Sequence, residues 1–188
     1  MIDQRAAMAR PAQFEREEIL DKAMHAFWEQ GYCATSMANL VEATSLKPGS
    51  IYAAFQSKQA LFLEALDHYG NRSVDKLRLK LNEGASPLVA IADYFDQLAL
   101  SIEDHGRDAR CFLVNSVLEL SPHDEQVRNR INQYFAQVED TFVDALELAR
   151  EQGEISRECD IRGLAGFLMN SIWGLRVLAG TEPAPGRA

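Results

Sequence analysis

Residues able to do covalent or metal chemistry are few in this 188-residue chain, and they fall in no catalytic pattern. His25, His68, His105 and His123 are scattered. No HExxH pair offers two imidazoles on one helix face, and neither a GxSxG nucleophile turn nor a phosphate-cradling P-loop occurs. Cys33, Cys111 and Cys159 are odd in number and widely spaced, which argues against a disulfide framework or a CxxC metal site and leaves free thiols as the expectation. His105 and Cys111 could act as base and nucleophile only if something held them together. They flank a glycine-containing break, and the thiol borders an apolar run, so nothing in the sequence positions them. An enzyme is therefore not expected, and no metal or cofactor is called for.

One stretch does converge. LKPGSIYAAFQSKQALF, residues 46–62, places Lys47, Pro48, Gly49 and Ser50 at the start of one short helix and Ser57 and Lys58 at the start of the next. A helix start carries free N–H groups and the positive end of the helix dipole, so both starts suit an anion. Pro48 fixes the entry φ near −65°. Gly49 and Ser50 permit close backbone approach, and Tyr52 offers a ring with a hydroxyl at its tip. Two short helices joined by a three- or four-residue turn, the second opening on small polar residues, fit a helix-turn-helix whose second helix enters the DNA major groove. Spacing alone fits a plain helical hairpin equally well, with Tyr52 and Phe55 in the core and the lysines in solvent.

The elements that must position these residues read as all helical, since apolar spacings of three and four dominate and alternating β-branched runs are absent. Ile19, Leu20, Ala23 and Phe27 share a face of a helix over 14–30 that Gly31 stops. Thr35 and Ser36 are N-caps for a short helix containing Leu40 and Val41, and Ser57 caps a long one. Ser86-Pro87 opens the next, CFLVNSVLEL forms a compact apolar helix, Ser121-Pro122 with Asp124 starts another long helix, and a last one covers 161–178. Residues 1–12 read as a flexible arm and 181–188 as a disordered tail.

Net charge is −9, which by itself argues against a nucleic-acid partner, but the charge is uneven. Residues 1–80 hold 10 Lys+Arg and 10 Asp+Glu, whereas residues 81–188 hold 9 and 18. All five lysines lie in the first part. The split points to two functional regions. No run approaches the about 18 apolar residues needed to span a bilayer, and the polar N-terminus does not look like a secretory signal, so a cytoplasmic protein with no membrane partner is expected.

The sequence TSMANLVEATSLKPGSIYAAFQSKQALFLEAL resembles the N-terminal module of the TetR family of bacterial transcriptional regulators. The likeness rests on Thr35 before the second helix, on Gly49-Ser50-Ile51-Tyr52, and on Phe55 followed by Lys58. The preceding helix, with Ala23, Phe27, Trp28 and Gly31-Tyr32, also matches. Ser45 stands in the turn where that family usually has Gly, so either serine takes a conformation that favours glycine, at some strain, or the turn differs slightly. The resemblance implies phosphate contacts for Thr35, Tyr52 and Lys58, with Ser36 beside them, and a groove-facing helix start at Lys47, Pro48, Gly49 and Ser50. Arg5 and Arg10 on the arm would be surface arginines or would reach a neighbouring groove.

For the rest of the chain the resemblance implies a helical domain that dimerises through its last two helices and encloses an effector. Val127, Ile131, Val138 and Phe142, on a face longer and more apolar than one small core needs, would meet Leu164, Leu168 and Leu175 across the interface. Phe95, Leu98, Ile102, Cys111, Asn115, Phe135 and Trp173 are candidate effector contacts, although each could equally be ordinary packing. Cys111 follows GRDAR, with Arg107 and Arg110 nearby, and a helix start beside cations favours the thiolate, the reactive form. Around CFLVN the chain resembles family members that sense oxidants or electrophiles through a cysteine, whereas packing as a small hydrophobe is the plainer role. The expected architecture is thus an arm over 1–12, a DNA-binding domain over 13–58, an effector and dimerisation domain over 59–180, and the tail. The expected function is a dimeric repressor released from a palindromic operator by a small-molecule or reactive effector. A helical protein–protein interaction module that binds no DNA is the alternative.

Overall fold

In a computed structural model, residues 5–106, 110–120 and 122–180 are described, with side chains from Arg16 onward. Eight α-helices cover the described residues: α1 (Arg5–Gln30), α2 (Met37–Thr44), α3 (Pro48–Phe55), α4 (Lys58–Leu81), α5 (Pro87–His105), α6 (Phe112–Leu120), α7 (Glu125–Glu151) and α8 (Ile161–Ala179). No strand occurs among them. The backbone of α1 is already helical at Arg5, inside the segment read as an arm. The side chains of Arg5 and Arg10, residues Arg107 and Ser121, and the tail 181–188 lie outside the described residues.

The chain divides into two units, residues 1–69 and 70–188, so the division falls inside α4 and not at 58/59. The physical reason is a run of contacts along the first half of that helix. Phe62 meets Phe27 edge-on, with centroids 5.1 Å apart, and tilts against Tyr32 at 4.8 Å. Arg16 reaches Glu64 at 2.6 Å, His68 Nε2 lies 2.9 Å from Asp21 Oδ1, and Tyr69 packs edge-on against Trp28. Leu40 of α2 and Ile51 and Phe55 of α3 complete the apolar interior, each at most 2% exposed.

In the second unit, Leu77 and Leu81 of α4, Leu98 and Ile102 of α5, Phe142 and Leu146 of α7 and Ala165 and Ile172 of α8 form one core. Caps set the helix starts. Asp124, not Ser121, caps α7 by accepting from Val127 N–H at 3.0 Å, because Pro122 and His123 still belong to a turn closed on the Leu120 carbonyl. α5 is capped twice. Ser86 Oγ accepts from Val89 N–H, and Glu154, distant in sequence, accepts from Leu88 N–H at 3.0 Å.

Candidate nucleic-acid interface

Helix α3 has the sequence PGSIYAAF, and only Ile51 and Phe55 turn inward. Pro48, Gly49, Ser50, Tyr52, Ala53 and Ala54 are exposed, with Tyr52 half open to solvent at 50%. A face this small and uncharged lets a helix lie deep in a groove, and it also explains why Gly49 needs no space: an added Cβ would meet nothing within 4 Å. Ala53 and Ala54 escaped the sequence reading, since alanine carries no chemical signature, yet a methyl group there can meet a thymine methyl.

The turn that aims this face is Ser45-Leu46-Lys47. Ser45 lies in the left-handed region at φ 59 and ψ 17, as its position in the turn requires. Thr44 fixes the turn from inside: its hydroxyl donates to the Leu40 carbonyl at 2.6 Å and accepts from Leu46 N–H at 3.4 Å. Lys47 occupies the N-cap position of α3 with no side-chain cap hydrogen bond, so its exposed ammonium is left to the surface. At the other end Gln56 also takes a positive φ, 66°, and lets Ser57 cap α4 by accepting from Ala60 N–H at 3.0 Å. Lys58 is then the first residue of α4, its Nζ held 4.3 Å over the Tyr32 ring, a cation–π contact that fixes the charge beside a helix start.

Two expected phosphate contacts separate here. Ser36 is exposed and closes a capping box with Asn39, accepting from Asn39 N–H at 3.2 Å while Asn39 Oδ1 accepts from Ser36 N–H at 2.9 Å. Thr35 is fully buried instead. Its hydroxyl donates to the Gly31 carbonyl at 2.6 Å and its own N–H to the same carbonyl, so the side chain ties the end of α1 to the start of α2 and cannot also meet a phosphate.

The candidate effector residues differ in their packing. Phe95 stacks on Phe142 within the core, and Phe135 pairs with Trp173 at 3.9 Å between centroids. Ile102 is buried, Asn115 is partly buried, and Cys111 is a free, partly buried thiol at the N-cap of α6, where its carbonyl accepts from Asn115 N–H at 3.0 Å. Leu98 borders a cavity of about 120 Å³ whose wall includes Lys76, Lys80, Tyr94 and Arg176. Burial pushes the Tyr94 phenol above its ordinary range, Arg176 opposes the shift and Cys111 adds to it, so the hydroxyl stays protonated and able to donate. Of the expected interface residues, Val127, Ile131 and Phe142 are at most 1% exposed and serve the core of their own chain. Val138, Leu164, Leu168 and Leu175 are only partly covered, and Phe167, on the same apolar helix α8, is 66% exposed.

The pattern that describes bacterial regulatory proteins of the tetR family matches residues 19–65, and that of the tetracyclin repressor-like C-terminal domain matches 87–183. The chain belongs to the TetR family. It is accordingly a helix-turn-helix, DNA-binding transcriptional regulator and not an enzyme. Among TetR-family relatives, the HTH-type transcriptional repressor ComR of Escherichia coli K12 is 39% identical over 171 residues, 90% of this chain and 81% of ComR. The HTH-type regulator YezE of Bacillus subtilis 168 is 31% identical over 92% of this chain and 89% of its own. A cysteine-substituted CifR, a TetR-family regulator complexed with 26-bp double-strand operator DNA, superposes with a TM-score of 0.78 at 30% identity, covering 90% of this chain and 88% of CifR. Among the described residues, no helix is long and apolar enough to cross a membrane.

Proposed function

We propose that the protein is a homodimeric repressor that reads a palindromic operator through the open face of α3 and releases it when its second unit is occupied. The observation that carries this reading is the α3 face itself: six exposed small or polar residues, flanked by Lys47 and Lys58 at two successive helix starts. Ser50, Tyr52, Ala53 and Ala54 meet base edges and the T methyl, and Lys47 reaches the entrance of the groove. Ser36 at the start of α2 and Lys58 at the start of α4 hold backbone phosphates on the two sides. ComR, named as a repressor, and CifR, seen on operator DNA, support the sign of regulation and the partner.

Dimerisation follows from the second unit. Leu164, Phe167, Leu168, Leu175 and Leu178 recur at spacings of three, four and seven on α8 and leave an apolar stripe that the chain itself does not fully cover. Pairing that stripe with the same stripe of a second copy buries it and gives the dimer two α3 helices, one for each half of a palindromic site. Release requires the effector to bind the non-operator conformation more tightly, since equal affinity for both shifts nothing. Selection of bound duplexes from a random library tests the reading. A two-fold symmetric site should be enriched, and Lys47→Ala or Ser50→Ala should change which site is enriched. Recovery of no common sequence would remove it.

A further inference from the structure

The second half of the chain is its acidic half, with 18 Asp+Glu against 9 Lys+Arg in residues 81–188. The cavity bordered by α4, α5 and α8 gathers three cations, Lys76 and Lys80 from the charge-balanced first part and Arg176 from the acidic one, and no acidic side chain in its wall. Lys80 is offset by Glu83 at 2.9 Å, an exposed carboxylate. Lys76 has no ion-pair or hydrogen-bond partner among the described residues. Leu77 and Leu98, 2% and 4% exposed, give the cavity an apolar floor, while Tyr94 contributes a partly buried ring and a hydroxyl donor. Like charges brought together beside apolar surface repel one another more strongly than in water, and an anion between them removes that cost.

We propose that this cavity binds a small organic carboxylate, with Lys76 and Arg176 holding its charge and Leu77 and Leu98 its apolar body. The size fits. A cavity of about 150 Å³ holds benzene, so the smaller 120 Å³ here suits a short aliphatic acid, and benzoate marks the upper limit of size. Arginine offers a carboxylate two parallel N–H donors, and the lysine adds an unpaired charge. Lys76 and Lys80 belong to the same helix that starts at Lys58, so a ligand gripping its far end acts on an element that also carries a proposed phosphate contact. That second step, release of DNA by the bound acid, rests on the function proposed above.

Isothermal titration of the full-length protein with acetate, butyrate and benzoate, each beside its uncharged amide, tests the site. At least one acid should bind ten-fold or more tightly than its amide. Lys76→Gln and Arg176→Gln should each lose about ten-fold in affinity for that acid while melting within a few degrees of the wild type. Since Lys76 is exposed, its variant keeps the test meaningful should Arg176→Gln unfold. No acid binding better than its amide, or affinity unchanged in the folded variants, would overturn the proposal. The same acid added to the selected duplex complex separates the two readings. Binding without DNA release leaves the site standing and removes its effector role. DNA binding by a protein that takes up no acid removes the site and leaves the DNA reading intact.

Discussion

Ser45 and Lys58 show how much of the proposed DNA-binding surface depends on single side chains. At φ 59, Ser45 holds a left-handed conformation that costs a residue with a Cβ about 1–2 kcal/mol, part of which glycine returns as greater freedom in the unfolded chain. Ser45→Gly should therefore raise stability by about 0.5–1 kcal/mol, read as a higher denaturant midpoint at unchanged slope; a lower midpoint would mean that the serine is not strained. Lys58→Ala should weaken binding to every duplex alike and lower the salt slope by about 1, because one phosphate contact and its released counterion are lost. An unchanged slope would place Lys58 off the backbone. The motif residues at 47–58 were legible because their types are forced by the helix start they make. Thr35 was misread because a hydroxyl beside a helix start serves a phosphate or a carbonyl equally well, and only the fold shows that the Gly31 carbonyl claims it. The inert methyls of Ala53 and Ala54 gave no signal at all.

Among the elements, α4 meets α7 closely at Gly70 and Tyr134. Gly70 lies so close to the ring of Tyr134 that an added Cβ would sit 2.7 Å from it, and the ring is buried, so it has little room to move. Gly70→Ala should destabilise the protein by about 1–3 kcal/mol through overpacking. A melting temperature equal to the wild type would show that the ring yields. Helix existence was readable from apolar spacing, and the stops at Gly31 and Gly153, both at positive φ, were readable from glycine itself. The start of α7 was not, since Ser121 and Asp124 are both good caps and the turn on Leu120 decides between them. Nor could sequence show that Glu154 caps α5, because that hydrogen bond joins segments far apart in the chain. Nor is the hold of α1 on Phe62, Glu64 and His68 visible in sequence, since it is a long-range contact with no local signature.

For the whole molecule the question is which apolar residues face a second copy and which face their own chain. Periodicity gives one answer for both, which is why Val127, Ile131 and Phe142 were assigned to the interface although the chain buries them itself. Phe142→Asp should unfold the protein, because it places a carboxylate where no water reaches. Phe167→Asp should instead leave a folded monomer by light scattering and circular dichroism, with operator affinity lost because each half-site then binds alone; a stable dimer would move the interface elsewhere. The central claim, that the exposed face of α3 reads sequence, is tested most directly by fluorescence anisotropy of the selected duplex and a scrambled one, for wild type and Ala53→Asp. Ala53 is exposed, so the variant should fold, and its carboxylate would face the base edges and phosphates of a docked duplex. The account predicts that the wild type prefers the selected duplex by about 10³-fold or more and that Ala53→Asp loses this preference. Equal affinity of the wild type for both duplexes, or a preference untouched by Ala53→Asp, would contradict it.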